Sequence, residues 1–150
     1  MRICVICGEL KTIIDMDKKI DYFSLFARIA VGLSFLSAVA DRIGWWTPVL
    51  GQENVVWGNM GNFIAYTGVL VPWVTKPMLP FVAWPVTVAE VILGLLLIIG
   101  YQKRIVSLLS GLLLLAFAFS MLFFSSIKAP FDYSVFSAAA CSFLLYKNSK

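Results

Sequence analysis

Residues 81–124 read FVAWPVTVAEVILGLLLIIG, then YQKR, then IVSLLSGLLLLAFAFSMLFF. Two apolar runs of about 20 residues flank a short basic turn. At 1.5 Å per residue in a helix, such a run covers about 30 Å, the thickness of a bilayer's hydrocarbon core. The stretch therefore predicts two membrane-crossing helices, over 81–100 and 105–124. Pro80 and Pro85 fit the first turns of the earlier one, where proline is tolerated.

Working outward, residues 22–40 (YFSLFARIAVGLSFLSAVA) are a third apolar run, just long enough to cross and ended by Asp41-Arg42. Residues 134–146 (SVFSAAACSFLLY) are a fourth, short unless Pro130–Tyr133 join it. Between the first run and the second lies a long connection, 43–80, rich in glycine, proline and tryptophan. All five tryptophans fall between positions 45 and 84. Tryptophan concentrates at headgroup level, so this connection is expected along one membrane face, with a short interfacial helix at roughly 53–70. Residues 1–21 read as a mixed polar tail and 22–150 as the membrane domain. The expected fold is all-α, an integral membrane four-helix bundle with a Trp-rich outer interfacial segment between its first two helices.

Composition agrees. Apolar residues make up 61% of the 150-residue chain and charged residues 13%, about half the share usual in soluble domains. A soluble chain of this size could not hide so much apolar surface. The net charge of +4 sits at helix ends and near the termini, not on one face, so nucleic acid is not an expected partner and membrane lipid is. Four spans place both termini on one side together with Lys11, Lys18, Lys19, Lys103, Arg104, Lys147 and Lys150, leaving Arg42, Lys76 and Lys128 opposite. The positive-inside rule makes the first side cytoplasmic. Met1–Gly8 is apolar but short, and no small-residue cleavage site precedes the first long run, so a signal peptide is not expected there.

The chain has no histidine, which removes the commonest haem ligand and the commonest general base. No phosphate-binding loop, dinucleotide fingerprint, nucleophile elbow or acidic metal cluster is present. Cys4-Val5-Ile6-Cys7 has dithiol spacing, but it lacks a second such pair to complete a metal site, and Cys141 reads as a small packing residue. Small residues recur at helical spacing in every run, among them Ala30, Ser34, Gly94, Ser107, Gly111 and Ser142. They suit close helix packing; a narrow hydroxyl-lined cavity is the functional alternative.

Ionisable residues inside the runs are the sharpest signal, because an unpaired charge at such depth is costly. Arg28 lies about 9 Å from the cytoplasmic end of its run and Glu90 about 15 Å from that of its own. The expectation is that they pair or face a polar cavity, with Thr87 on the face of Glu90. The pair is either structural, fixing helix register, or a polar spot in an apolar pocket that receives a quinone head or moves a proton. Asp41, Arg42 and Asp132, near the outer ends of the first and fourth runs, form a candidate outer polar cluster; the alternative is that they snorkel as ordinary helix-end charges.

Residues 26–42 (FARIAVGLSFLSAVADR), 66–73 (YTGVLVPW), 87–104 (TVAEVILGLLLIIGYQKR) and 129–146 (APFDYSVFSAAACSFLLY) resemble the DoxX family of small bacterial membrane proteins. The landmarks are the early arginine of the first span, the second-span glutamate followed by Gly94 and Gly100, and the basic turn after it. A glycine-lysine end to the first span is common in that family; here Val39-Ala40-Asp41-Arg42 stands instead. The resemblance implies a four-helix bundle in a bacterial inner membrane, association with redox partner proteins such as a thiosulfate:quinone oxidoreductase, and Arg28 and Glu90 as the matching charged pair. The resulting expectation is a small membrane subunit of a redox-associated system, with no intrinsic cofactor and a quinone as candidate ligand. A non-catalytic assembly protein and a binder of a small hydrophobic molecule are the alternatives. A homo-oligomer is a further open partner.

Overall fold

The computed structural model describes the backbone of residues 2–149 and the side chains of residues 22–149. The Cys4–Cys7 pair and the charges of the 1–21 tail therefore lie outside the described side chains. The described residues form helices and loops and no strand. In order these are α1 (Arg2–Arg42), α2 (Thr47–Leu50), α3 (Met60–Leu70), α4 (Leu79–Ile99), α5 (Lys103–Phe124), α6 (Ala129–Asp132) and α7 (Val135–Asn148), with single 3-10 turns at Gln52–Asn54 and Lys76–Met78.

Glycine and asparagine set several of the boundaries. α1 does not stop at Ala40 but runs through Asp41 and Arg42, and Gly44 turns the chain out at φ +78°. The helix expected from about residue 53 begins only at Met60. Gly51 and Gly58, both at positive φ, keep the preceding segment irregular, and the Asn59 side chain caps α3 by accepting from Asn62 N–H at 2.9 Å. α4 carries Pro80 in its first turn and closes on Gly100 in the left-handed region, whose N–H reaches back to Leu96 O at 2.9 Å.

Three segments are long and apolar enough to cross a membrane: Tyr22–Arg42 (21 residues), Lys76–Ile99 (24) and Lys103–Phe124 (22). The fourth apolar run forms α7, whose 14 residues cover about 21 Å, short of a full hydrocarbon core. The surface has the inverted polarity that lipid permits. Phe26, Phe81, Ile92, Ile99, Phe123 and Leu144 face outward, while Thr87, Glu90, Ser107, Ser110 and Ser142 are buried.

Two antiparallel pairs build the bundle. α1 lies against α4, with Arg28 beside Gly100 at one end and Arg42 beside Thr87 and Glu90 toward the other. α5 lies against α7, joined by Arg104 and Tyr146 near the 101–102 turn, by Gly111 against the Phe143 ring, and by Phe119 against Phe136 farther along. Val31, Phe35, Leu93, Leu97 and Val106 form the core where the pairs meet. α3 leans on both α4 and α5.

Candidate functional site

α1 ends in two charged residues that part ways. Neighbours on a helix point about 100° apart, and here Asp41 turns to the 43–59 segment while Arg42 turns to α4. The Asp41 carboxylate accepts from the backbone N–H of Val56 (3.1 Å), Trp57 (2.9 Å) and Gly58 (3.2 Å). Three otherwise loose amides are thereby fixed over the end of α1. Trp46 folds back on the same helix, its indole N–H donating to Ser37 O at 3.2 Å.

Arg42 makes a two-pronged ion pair with Glu90. Nη1 donates to Oε2, and Nη2 donates to Oε1 at 3.1 Å. Nη1 also donates to the Thr87 hydroxyl at 3.2 Å, and that hydroxyl donates to Ala83 O at 2.8 Å. Ala83, Thr87 and Glu90 follow one another on a single face of α4. The guanidinium stacks over the Phe63 ring, 3.7 Å from its centroid. Glu90 and Phe63 are each only 3% exposed. Such a fork satisfies a buried carboxylate well, while the Arg42 Nε–H is buried with no acceptor.

The pairing expected between Arg28 and Glu90 is not made; Arg42 takes the place of Arg28. A helical side chain leans toward the start of its own helix. In an antiparallel pair, Arg42 and Glu90 therefore lean toward each other, and Arg28 leans away. Arg28 lies instead against Gly100, ten residues and about 15 Å along α4 from Glu90. There its cation meets the negative end of α4. Among the described residues the ion pairs are Arg42–Glu90 and Lys128–Asp132, so no described carboxylate lies within 4 Å of Arg28.

The outer cluster of Asp41, Arg42 and Asp132 does not assemble either. Arg42 points into the bundle and Asp41 holds loop amides. Asp132 makes an exposed ion pair with Lys128 at 3.5 Å, one turn back along the same stretch.

Beside the ion pair lies an apolar cleft of about 130 Å³ between α3, α4 and α5. Phe63, Leu70, Ala83, Val86, Ala116 and Phe117 are among its walls, with Thr67 and Ser120 as polar members. The Thr67 hydroxyl donates to Phe63 O at 2.8 Å. Phe63 is thus common to both features, with the cleft and the guanidinium each against it. No group of three or more metal-ligating side chains occurs among the described residues.

No family model matches the chain, and no curated protein or solved structure matches it. The resemblance to DoxX proteins thus stands on the stretches quoted above, and the chemistry of the site is read from its own geometry. Sequence reasoning assigned Arg42 to an outer cluster instead of to Glu90, and it missed Phe63 as a site residue. For Arg42 a usable signal existed: an arginine ending an apolar run leans a full turn back into it.

Proposed function

We propose that the chain is a four-span inner-membrane protein of DoxX type that binds a membrane-soluble amphiphile of the quinone class in the α3–α4–α5 cleft and serves a redox partner protein. In this reading α6 and residues 133–134 complete the fourth crossing begun by α7. Lys103, Arg104 and Lys147 lie at one end of the bundle, where Arg104 meets Tyr146, and that end is cytoplasmic. Segment 43–78 faces outward.

The observation that carries the reading is the shared wall. An apolar cleft abuts a buried, hydrogen-bonded charged group across one aromatic ring. Apolar walls with a few convergent polar groups are the usual make-up of a small-molecule site, and ionisable groups within a span are functional candidates by default.

Titration of the purified protein in lipid nanodiscs with a short-chain ubiquinone or menaquinone analogue tests it. Saturable binding is expected for the wild type and its loss for Ala116→Phe, which fills the cleft. Absence of saturable binding in the wild type would sink the proposal, and undiminished binding by Ala116→Phe would move the ligand elsewhere.

A second reading, an assembly subunit docking through its outer face, is favoured by Trp45 and Trp73, which are 72% and 68% exposed. Copurification from gently solubilised membranes separates the two.

A further inference from the structure

We propose that the cleft and the buried ion pair are two halves of one site, that Phe63 is the partition between them, and that the site takes the neutral carbonyl group of a single-chain amphiphile, received by the Arg42 Nε–H. The proposal rests on the cleft being a ligand site, and it specifies the head group that such a ligand carries.

A donor count on Arg42 comes first. A guanidinium has five N–H groups and no acceptor. Nη1 uses two on Glu90 and Thr87, Nη2 uses one on Glu90 and keeps one in reserve, and Nε is buried without a partner. Among the described residues Arg28 Nε is unmet too, but it lies by Gly100, far along α4 from the cleft. Native interiors rarely leave such a donor unmet, since a buried N–H with no acceptor forfeits its hydration for nothing. What the site lacks is therefore an acceptor.

Charge then narrows the acceptor. Glu90 already neutralises Arg42. A second anion would leave the cluster with a net negative charge among apolar side chains, the arrangement a low-dielectric interior penalises most. A head group with its own O–H or N–H, such as an alcohol or amine, brings donors that need further acceptors, whereas Arg42 offers only donors. A ketone, quinone or ester carbonyl accepts a hydrogen bond, brings no charge and needs no partner for itself.

Phe63 decides access. Nε is one bond from the carbon that sits 3.7 Å above the ring centroid, so the unmet donor lies over the same ring that walls the cleft. With the ring in place, a head group in the cleft meets little but Ser120, because the Thr67 hydroxyl is already bonded to Phe63 O. Moving the ring aside joins the apolar cleft to the donor. Trp57, edge-on to Phe63 with centroids 5.5 Å apart, is placed to report that movement.

The test uses the full chain in nanodiscs and three probes of equal chain length: a methyl ketone carrying ¹³C at its carbonyl, the corresponding carboxylic acid and the plain hydrocarbon. The ketone is expected to bind roughly tenfold more tightly than either of the others, the gain of one hydrogen bond from a charged donor. Its ¹³C=O stretch should move to lower wavenumber on binding. Arg42→Lys, which keeps the charge but has no Nε, should lose both the ketone's advantage and the band shift, and Phe63→Leu should speed ketone association. If Arg42→Lys does not fold, the carbonyl band of the wild type decides alone. Equal binding of ketone and hydrocarbon with an unshifted band overturns the carbonyl proposal and leaves the cleft reading standing. Equal binding of the acid at a pH where it is fully ionised overturns the neutral-head requirement. Failure of all three probes to bind overturns the cleft reading and this proposal together.

Discussion

Gly32 and Gly94 meet at the crossing of α1 and α4 with no room for a side chain on either. A Cβ on Gly32 would lie 2.8 Å from Gly94 O and 2.7 Å from Ile98 Cγ1, and one on Gly94 would lie 3.0 Å from Gly32 O. This contact sets the register that brings Arg42 to Glu90. Close approach through glycine is how membrane helices gain packing where lipid offers no hydrophobic drive between them.

Gly32→Ala is expected to cost about 2 kcal/mol, within the range for overpacking a tight contact. Gly94→Ala should cost less, since its nearest neighbours are a few tenths of an ångström farther away. Reversible unfolding in mixed detergent, compared among the three proteins, checks the order.

Breaking the buried pair from one side should be far worse than removing it whole. Glu90→Gln leaves the Arg42 cation without its counter-charge and is expected to cost about 3 kcal/mol, whereas Arg42→Met combined with Glu90→Met should return to near wild-type stability. A double-mutant cycle by the same unfolding assay measures the coupling.

Asp41→Ala should free the loop it holds. The three amides of Val56, Trp57 and Gly58 lose a charged acceptor, for about 2 kcal/mol of local stability. Hydrogen exchange should quicken at those three positions and stay slow in the middle of α4.

Gly100→Ala meets two obstacles, a left-handed backbone at φ +80° and the Arg28 guanidinium, with Nη1 at 2.7 Å from the added carbon. The backbone strain alone is about 1 kcal/mol, and displacing a buried arginine adds to it. In an Arg28→Met background only the strain should remain, so the penalties of the two single variants should not add.

Much of the architecture was legible because it depends on run length and on helix breakers. The spans at 81–100 and 105–124 appear as α4 and α5 within two residues at each end, and Gly100 marks the stop where the basic turn begins. The site was less legible because its partners depend on register. Counting depth from the ends of 22–40 and 81–100 put Arg28 near Glu90. In the fold, α1 is slid along α4 until Arg28 reaches Gly100, and the Gly32–Gly94 contact that fixes this offset cannot be seen in either run alone. Phe63 escaped notice for a related reason: a phenylalanine in an interfacial stretch carries no mark of the cation it covers.

The ion pair also bears on how the chain is made. Arg42 and Glu90 are 48 residues apart, and α1 packs far more extensively on α4 than on α3, the helix nearer to it in sequence. As the protein is synthesised, α1 emerges with its arginine unmatched and must wait, through the whole tryptophan-rich connection, for the helix that neutralises it. α4 and α5 emerge back to back as a ready hairpin. The insertion machinery therefore has to shelter the first helix until α4, the second long one, arrives.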